Sequence, residues 1–117
     1  MLIRLAALFG FLSVALGAFG AHALEGTLTT EGQDWWHTAT LYALPHAAAA
    51  LAAGLSGRGG NIVRGGWLLL VGALIFSATL YAMALGAPRW LGAVTPIGGI
   101  GMLVGWALIA LGAAKNP

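Results

Sequence analysis

Seven polar side chains, His22, Thr38, Tyr42, His46, Ser77, Tyr81 and Thr95, are the ones whose type and spacing could support chemistry. Thr38, Tyr42 and His46 recur every four residues, as do Ser77 and Tyr81, which puts each set on one face of a helix. His22 and His46 carry imidazoles, the side chain suited to relaying a proton or holding a cation. His37 sits beside Trp35 and Trp36 and reads as a solvated interfacial residue. Several stronger chemistries fail on the residues themselves. There is no cysteine, hence no thiolate metal site, disulfide or thiol nucleophile. No carboxylate lies within an apolar stretch to complete a metal site, so no metal is expected. Ser77 has possible histidine partners but no buried acid to orient them, so no catalytic residue is assigned.

The elements that position these groups are four long apolar stretches, about residues 2–24, 35–55, 62–85 and 90–114. They occupy nearly all of a 117-residue chain that is 60% hydrophobic and only 7% charged. Soluble domains carry about 25% charged residues. A hydrocarbon core about 30 Å thick is crossed by about 20 apolar residues in a helix. The expectation is therefore an all-α integral membrane protein, a bundle of four transmembrane helices forming one domain, with the lipid bilayer as its main partner. The pI near 9.7 rests on five basic against three acidic residues. With no basic run and no soluble surface, this excludes nucleic acid as a partner.

Arg4, Arg58, Arg64 and Lys115 fall on one side of the predicted spans; Glu25, Glu31, Asp34 and Arg89 fall on the other. The excess of Lys and Arg predicts that both termini and the 57–64 loop are cytoplasmic, as in a multi-pass protein of a bacterial inner membrane. Trp35, Trp36, Trp67 and Trp90 lie near span ends and read as interfacial anchors. Ala21-His22-Ala23 looks like a signal-peptide cleavage site, but the preceding apolar run is longer than a usual signal core, so it reads as the first span.

Depth along each span follows from about 1.5 Å per residue. On that scale Thr38, Tyr42, Tyr81, Thr95 and His22 lie in the outer half, with His46 and Ser77 nearer the midplane. Their overlapping depths predict one intramembrane polar cluster. His22 and His46 are separated by about 15 Å along the membrane normal, too far for bis-histidine haem within one chain, and no cofactor is expected. The 19 glycines are not confined to loops. Gly10 and Gly17 in span one, and Gly98, Gly101 and Gly105 in span four, form small-residue stripes suited to close helix packing. Such a stripe packs the helices of one chain together or forms the face of a homo-oligomer. Pro45, inside span two, leaves a carbonyl near residue 41 without its helical donor, and Pro96, near the start of span four, does the same near Gly92.

Gly17-Ala18-Phe19-Gly20-Ala21-His22-Ala23-Leu24 begins a recognisable set. It continues through Thr38, Tyr42, His46-Ala47 and the segment from Phe76 to Tyr81. Thr95-Pro96-Ile97-Gly98-Gly99 and Gly105-Trp106 complete it. In order and spacing this set resembles domain-of-unknown-function family 423, which has eukaryotic relatives of the transmembrane-protein-256 type. The resemblance covers nearly the whole chain. It implies a four-helix inner-membrane protein without an established activity, and it carries over to His22, Thr38, Tyr42, His46, Ser77, Tyr81, Thr95 and Pro96. The chain departs from the pattern at Pro45, where a bulky residue such as tyrosine is expected, and in the alanine-rich run that follows His46. Two functions follow as expectations. One is a non-enzymatic protein whose polar cluster binds a small ligand, lipid headgroup or ion, with His22 and His46 as proton-coupled groups if it transports. The other is a structural or assembly subunit that docks on a larger membrane complex through its glycine faces.

Overall fold

The computed structural model describes residues 1–115. Four helices follow one another: α1 (Leu2–His22), α2 (Thr30–Leu55), α3 (Asn61–Ala84) and α4 (Thr95–Lys115), with a short 3-10 helix over Arg89–Ala93 before α4. All four are long and apolar enough to cross a membrane. Among the described residues there is no strand.

Two boundaries differ from the apolar stretches, each for a local reason. α2 begins five residues before Trp35 because Thr29 caps it: the Thr29 hydroxyl accepts from the Gly32 N–H, and Glu31 lies in the first turn. The polar segment Glu31–Asp34 is thus helical although it lies outside the apolar run. At the other end, α4 starts at Thr95 with Pro96 as its second residue. A proline at that place removes an N–H that has no helical acceptor anyway, so it disturbs nothing. Pro45 sits well inside α2, which remains one assigned helix around it.

The bundle is built around α3. Half of its most apolar window is buried, against 22% for α1 and for α4. α3 packs extensively on both α2 and α4, while α1 packs mainly on α2. The buried core accordingly collects small α2 residues, Ala43, Ala47 and Ala50, against Leu69, Leu70 and Ala73 of α3, with Leu2, Ala6 and Phe9 from α1 and Met102 from α4. The side chains on the outside of α1 and α4, among them Phe11, Val14, Ile97 and Leu103, are exposed and apolar. On a membrane protein these are lipid-facing surfaces.

The α3–α4 seam is a backbone contact. A Cβ on Gly72 would lie 2.7 Å from the Gly98 carbonyl oxygen, and one on Gly65 would lie 2.6 Å from that of Gly105. The reciprocal contacts are equally close, at 2.5 Å from Gly98 to the Gly72 oxygen and 2.8 Å from Gly105 to the Gly65 oxygen. The two glycines on each helix are seven residues apart, the spacing that keeps one stripe on a left-handed partner. The same stripe on α3 continues to Thr79, which meets Thr95 on α4.

Trp36 corrects an expectation. It is 3% exposed, not an interfacial anchor. Its indole lies over Gly20, whose missing side chain leaves room for the ring.

Candidate functional site

The intramembrane polar groups form separate sets, each bridging particular helices. In the first, the Trp36 indole N–H on α2 donates to the Leu16 carbonyl on α1 at 2.8 Å. The Tyr81 ring on α3 meets Trp36 edge-on, with centroids 4.5 Å apart. The Tyr81 and Thr40 hydroxyls share a 2.5 Å hydrogen bond. In the second set, Thr79 and Thr95 share a 2.6 Å bond across the α3–α4 seam, and Thr95 also donates to the Leu91 carbonyl. Ser77 and Ser13 join neither set; each donates to the carbonyl four residues back, Ala73 and Phe9 respectively. These bonds satisfy hydroxyls that would otherwise be stranded in hydrocarbon.

The third set differs, because it borders a cleft. The Trp106 indole N–H on α4 lies 3.0 Å from His46 Nε2 on α2. An indole can only donate, so Nε2 must accept. The His46 proton then sits on Nδ1, which donates to the Tyr42 carbonyl at 2.7 Å. His46 is thereby held as one neutral tautomer with both ring nitrogens engaged, and a proton arriving at Nε2 would have to displace Trp106. The Tyr42 ring lies near-parallel to His46 and packs on Phe76 with centroids 4.6 Å apart. Its hydroxyl makes no hydrogen bond among the described residues. These side chains line a cleft of about 500 Å³ between α2, α3 and α4. Pro96, Gly99, Ile100, Met102 and Leu103 supply the rest of its wall.

The seven polar residues singled out from the sequence are therefore distributed rather than assembled. Tyr42 and His46 share the cleft, Tyr81 belongs with Thr40 and Trp36, and Thr95 belongs with Thr79. Thr38 is half-buried and His22 is exposed at the end of α1. Neither makes a side-chain hydrogen bond among the described residues. The α1–α2 pairing fixes the histidine separation: Gly10 lies against Ala47 and Gly20 against Trp36. His46 is thus level with a point on α1 roughly eleven residues from His22, or about 16 Å. No group of three His, Cys, Asp or Glu that could hold a metal occurs among the described residues. Outside the spans, Arg89 and Glu31 form an ion pair. The Arg89 guanidinium lies 5.4 Å from the centroid of the Trp35 ring.

Residue type and spacing alone do not mark Thr40, Thr79 and Trp106 as site residues. Thr79 had a readable signal, its place seven residues beyond Gly72 and fourteen beyond Gly65. Trp106, mid-span rather than at a span end, is out of place for an anchor and so was a candidate for a buried N–H donor.

Residues 16–99 match the family described as "Protein of unknown function (DUF423)". The chain belongs to the DUF423 family. The UPF0382 membrane protein YwdK of Bacillus subtilis is 40% identical over 118 residues, covering 97% of this chain and 95% of that one. A UPF0382 membrane protein of Staphylococcus epidermidis is 43% identical over 115 residues, covering 97% and 94%. The UPF0382 inner membrane protein YgdD of Escherichia coli is 39% identical over 113 residues, covering 94% and 86%. No solved structure matches the chain. The fold expected from the sequence, four membrane-crossing helices and no strand among the described residues, is the fold found in this DUF423 protein. These three relatives are bacterial and are named as membrane or inner membrane proteins, in agreement with the expected location.

Proposed function

We propose that this DUF423 protein binds a lipid-soluble small molecule in the cleft between α2, α3 and α4. The observation that carries this reading is the Tyr42 hydroxyl, a donor with no hydrogen-bonding partner among the described residues, beside aromatic walls made by Phe76, His46 and Trp106. Binding sites for small molecules are mostly apolar with a few placed polar groups. Here the placed group is a phenol that must find an acceptor, and the surrounding rings favour a flat partner. The ligand class that suits these features is a flat ring bearing an oxygen acceptor and soluble in the bilayer, such as a quinone.

A proton-transport version would pass protons between His22 and His46. Their separation, and the engagement of both His46 nitrogens, speak against it. The assembly reading relied on glycine faces left free for a partner. Gly98 and Gly105 lie against α3, and Gly10 and Gly17 against α2, so these stripes support packing within one chain.

The test is native mass spectrometry of the protein extracted gently from its own membrane, followed by addition of a short-tailed naphthoquinone as probe. The expected result is a bound small molecule, native or added, that Tyr42→Phe loses at unchanged helicity. Equal retention by the wild type and Tyr42→Phe, or no retention by either, would overturn the reading.

A further inference from the structure

The other end of the molecule holds a second pocket, of opposite character. It is lined by Arg58, Arg64 and Lys115 together with Gly59, Gly60, Asn61, Ile62 and Gly112. Three of the five basic residues of the chain thus border one cavity of about 490 Å³. They arrive from three different elements: the α2–α3 connection, the first turn of α3 and the last turn of α4. Among the described residues no carboxylate side chain lines the pocket. Glu25, Glu31 and Asp34 all lie at the opposite ends of the helices, where Glu31 is paired with Arg89.

We propose that this pocket binds a phosphate group, of the kind an anionic phospholipid carries in its headgroup. The backbone adds to what the cations provide. Gly60 is the N-cap of α3 at φ +62°, a conformation suited to glycine. It has no side chain to cap the helix, so the first N–H groups of α3 are left to an outside acceptor. Side chains at Gly59 and Gly60 would meet nothing within 4 Å, and without them the pocket mouth stays open. Arg64 is held toward this end of α3 by its bond to the Asn61 side-chain oxygen. A tetrahedral oxyanion offers several acceptors at once to guanidinium, ammonium and amide donors, which a single carboxylate does not match. The depth also fits. The pocket lies where α3 begins and α4 ends; the ends of membrane-crossing helices are where lipid headgroups are expected, and basic pockets between helices at that level recognise phosphate-bearing lipids.

The experiment uses the full chain in a neutral detergent. Native mass spectrometry follows the retention of phosphatidylglycerol against phosphatidylcholine with the same acyl chains. Phosphatidylglycerol is expected to be retained about tenfold better, because interfacial cations add to its binding. The preference is expected to disappear in the double variant Arg64→Gln/Lys115→Gln, whose helicity is checked by circular dichroism. Both side chains are exposed, so the fold should survive. Arg4→Gln removes a charge at the same end of the molecule but outside the pocket, and it should leave the preference intact. Inorganic phosphate is the competitor that separates the two sources. If it displaces the lipid, the site reads phosphate alone; if the lipid persists, the site reads the headgroup in its bilayer setting. Three results would overturn the proposal: no preference in the wild type, an undiminished preference in the double variant, or an equal loss in Arg4→Gln.

Discussion

The Trp106 indole N–H donates to His46 Nε2 at 3.0 Å, joining α4 to α2 although both pack chiefly on α3. This one bond makes Nε2 the accepting nitrogen of the histidine and closes one side of the cleft. Its energetic weight and its functional weight should differ. Intramembrane hydrogen bonds average about 0.6 kcal/mol.

Trp106→Phe is therefore expected to cost about 1 kcal/mol or less in stability. Under the proposed function it should nevertheless weaken binding of the naphthoquinone probe, because His46 would no longer be held in place. Thermal unfolding in detergent, measured beside probe retention, separates the two effects. A large fall in stability with unchanged retention would assign the pair to folding alone.

The α3–α4 seam predicts a contrast between adjacent positions. Gly98→Ala puts a methyl group against the Gly72 carbonyl and the Phe76 backbone, whereas Gly99→Ala points into open space. The first should destabilise by about 1–3 kcal/mol or more, the usual scale of overpacking. The second should be near neutral. Unfolding midpoints of the two variants in one detergent would show whether the seam is as close as described.

Arg89 and Glu31 are 75% and 51% exposed at their side chains. An exposed pair of this kind contributes about 0–1 kcal/mol. Glu31→Gln should thus lower stability only slightly, and any effect should shrink as salt is raised. A loss that persisted in high salt would mean that the pair is better shielded than its exposure indicates.

Orientation can be tested cleanly because the chain has no cysteine. Single cysteines at Ser56 and at Thr27 report the two ends of the bundle. The expected result, from the clustering of Arg4, Arg58, Arg64 and Lys115 at one end, is that an impermeant maleimide labels intact cells at position 27 and not at position 56. The reverse pattern would invert the topology.

The existence and approximate placement of the four helices were legible from apolar length alone. Gly98 and Gly105 stood out as a small-residue stripe, but the stripe alone left open whether it packs within one chain or against another. The pairing of the polar groups was not legible. Counting residues along a span gives height in the bilayer but not the direction in which a side chain points. Tyr81 and Thr95 therefore looked like members of one cluster, although Tyr81 faces Thr40 and Thr95 faces Thr79. Trp36 departs from expectation for a related reason. Its position near a span end favours anchoring, and only the facing Gly20 makes room for it inside. The three-dimensional pairing of α1 with α2 decides that, and no spacing within α2 reveals it.

Where Gly72 and Gly98 cross in the α3–α4 seam, an added side chain would meet main-chain atoms rather than side chains. An ordinary core clash can be relieved by a second mutation that shrinks the neighbour. Here the neighbouring atoms are main chain, of glycines and of Phe76 and Met102, and nothing remains to be trimmed. A genetic screen for suppressors of Gly72→Ala or Gly98→Ala should consequently recover no compensating change at the facing residue. Suppressors should instead map to positions that let one helix slide or tilt as a whole, or that stabilise the bundle elsewhere.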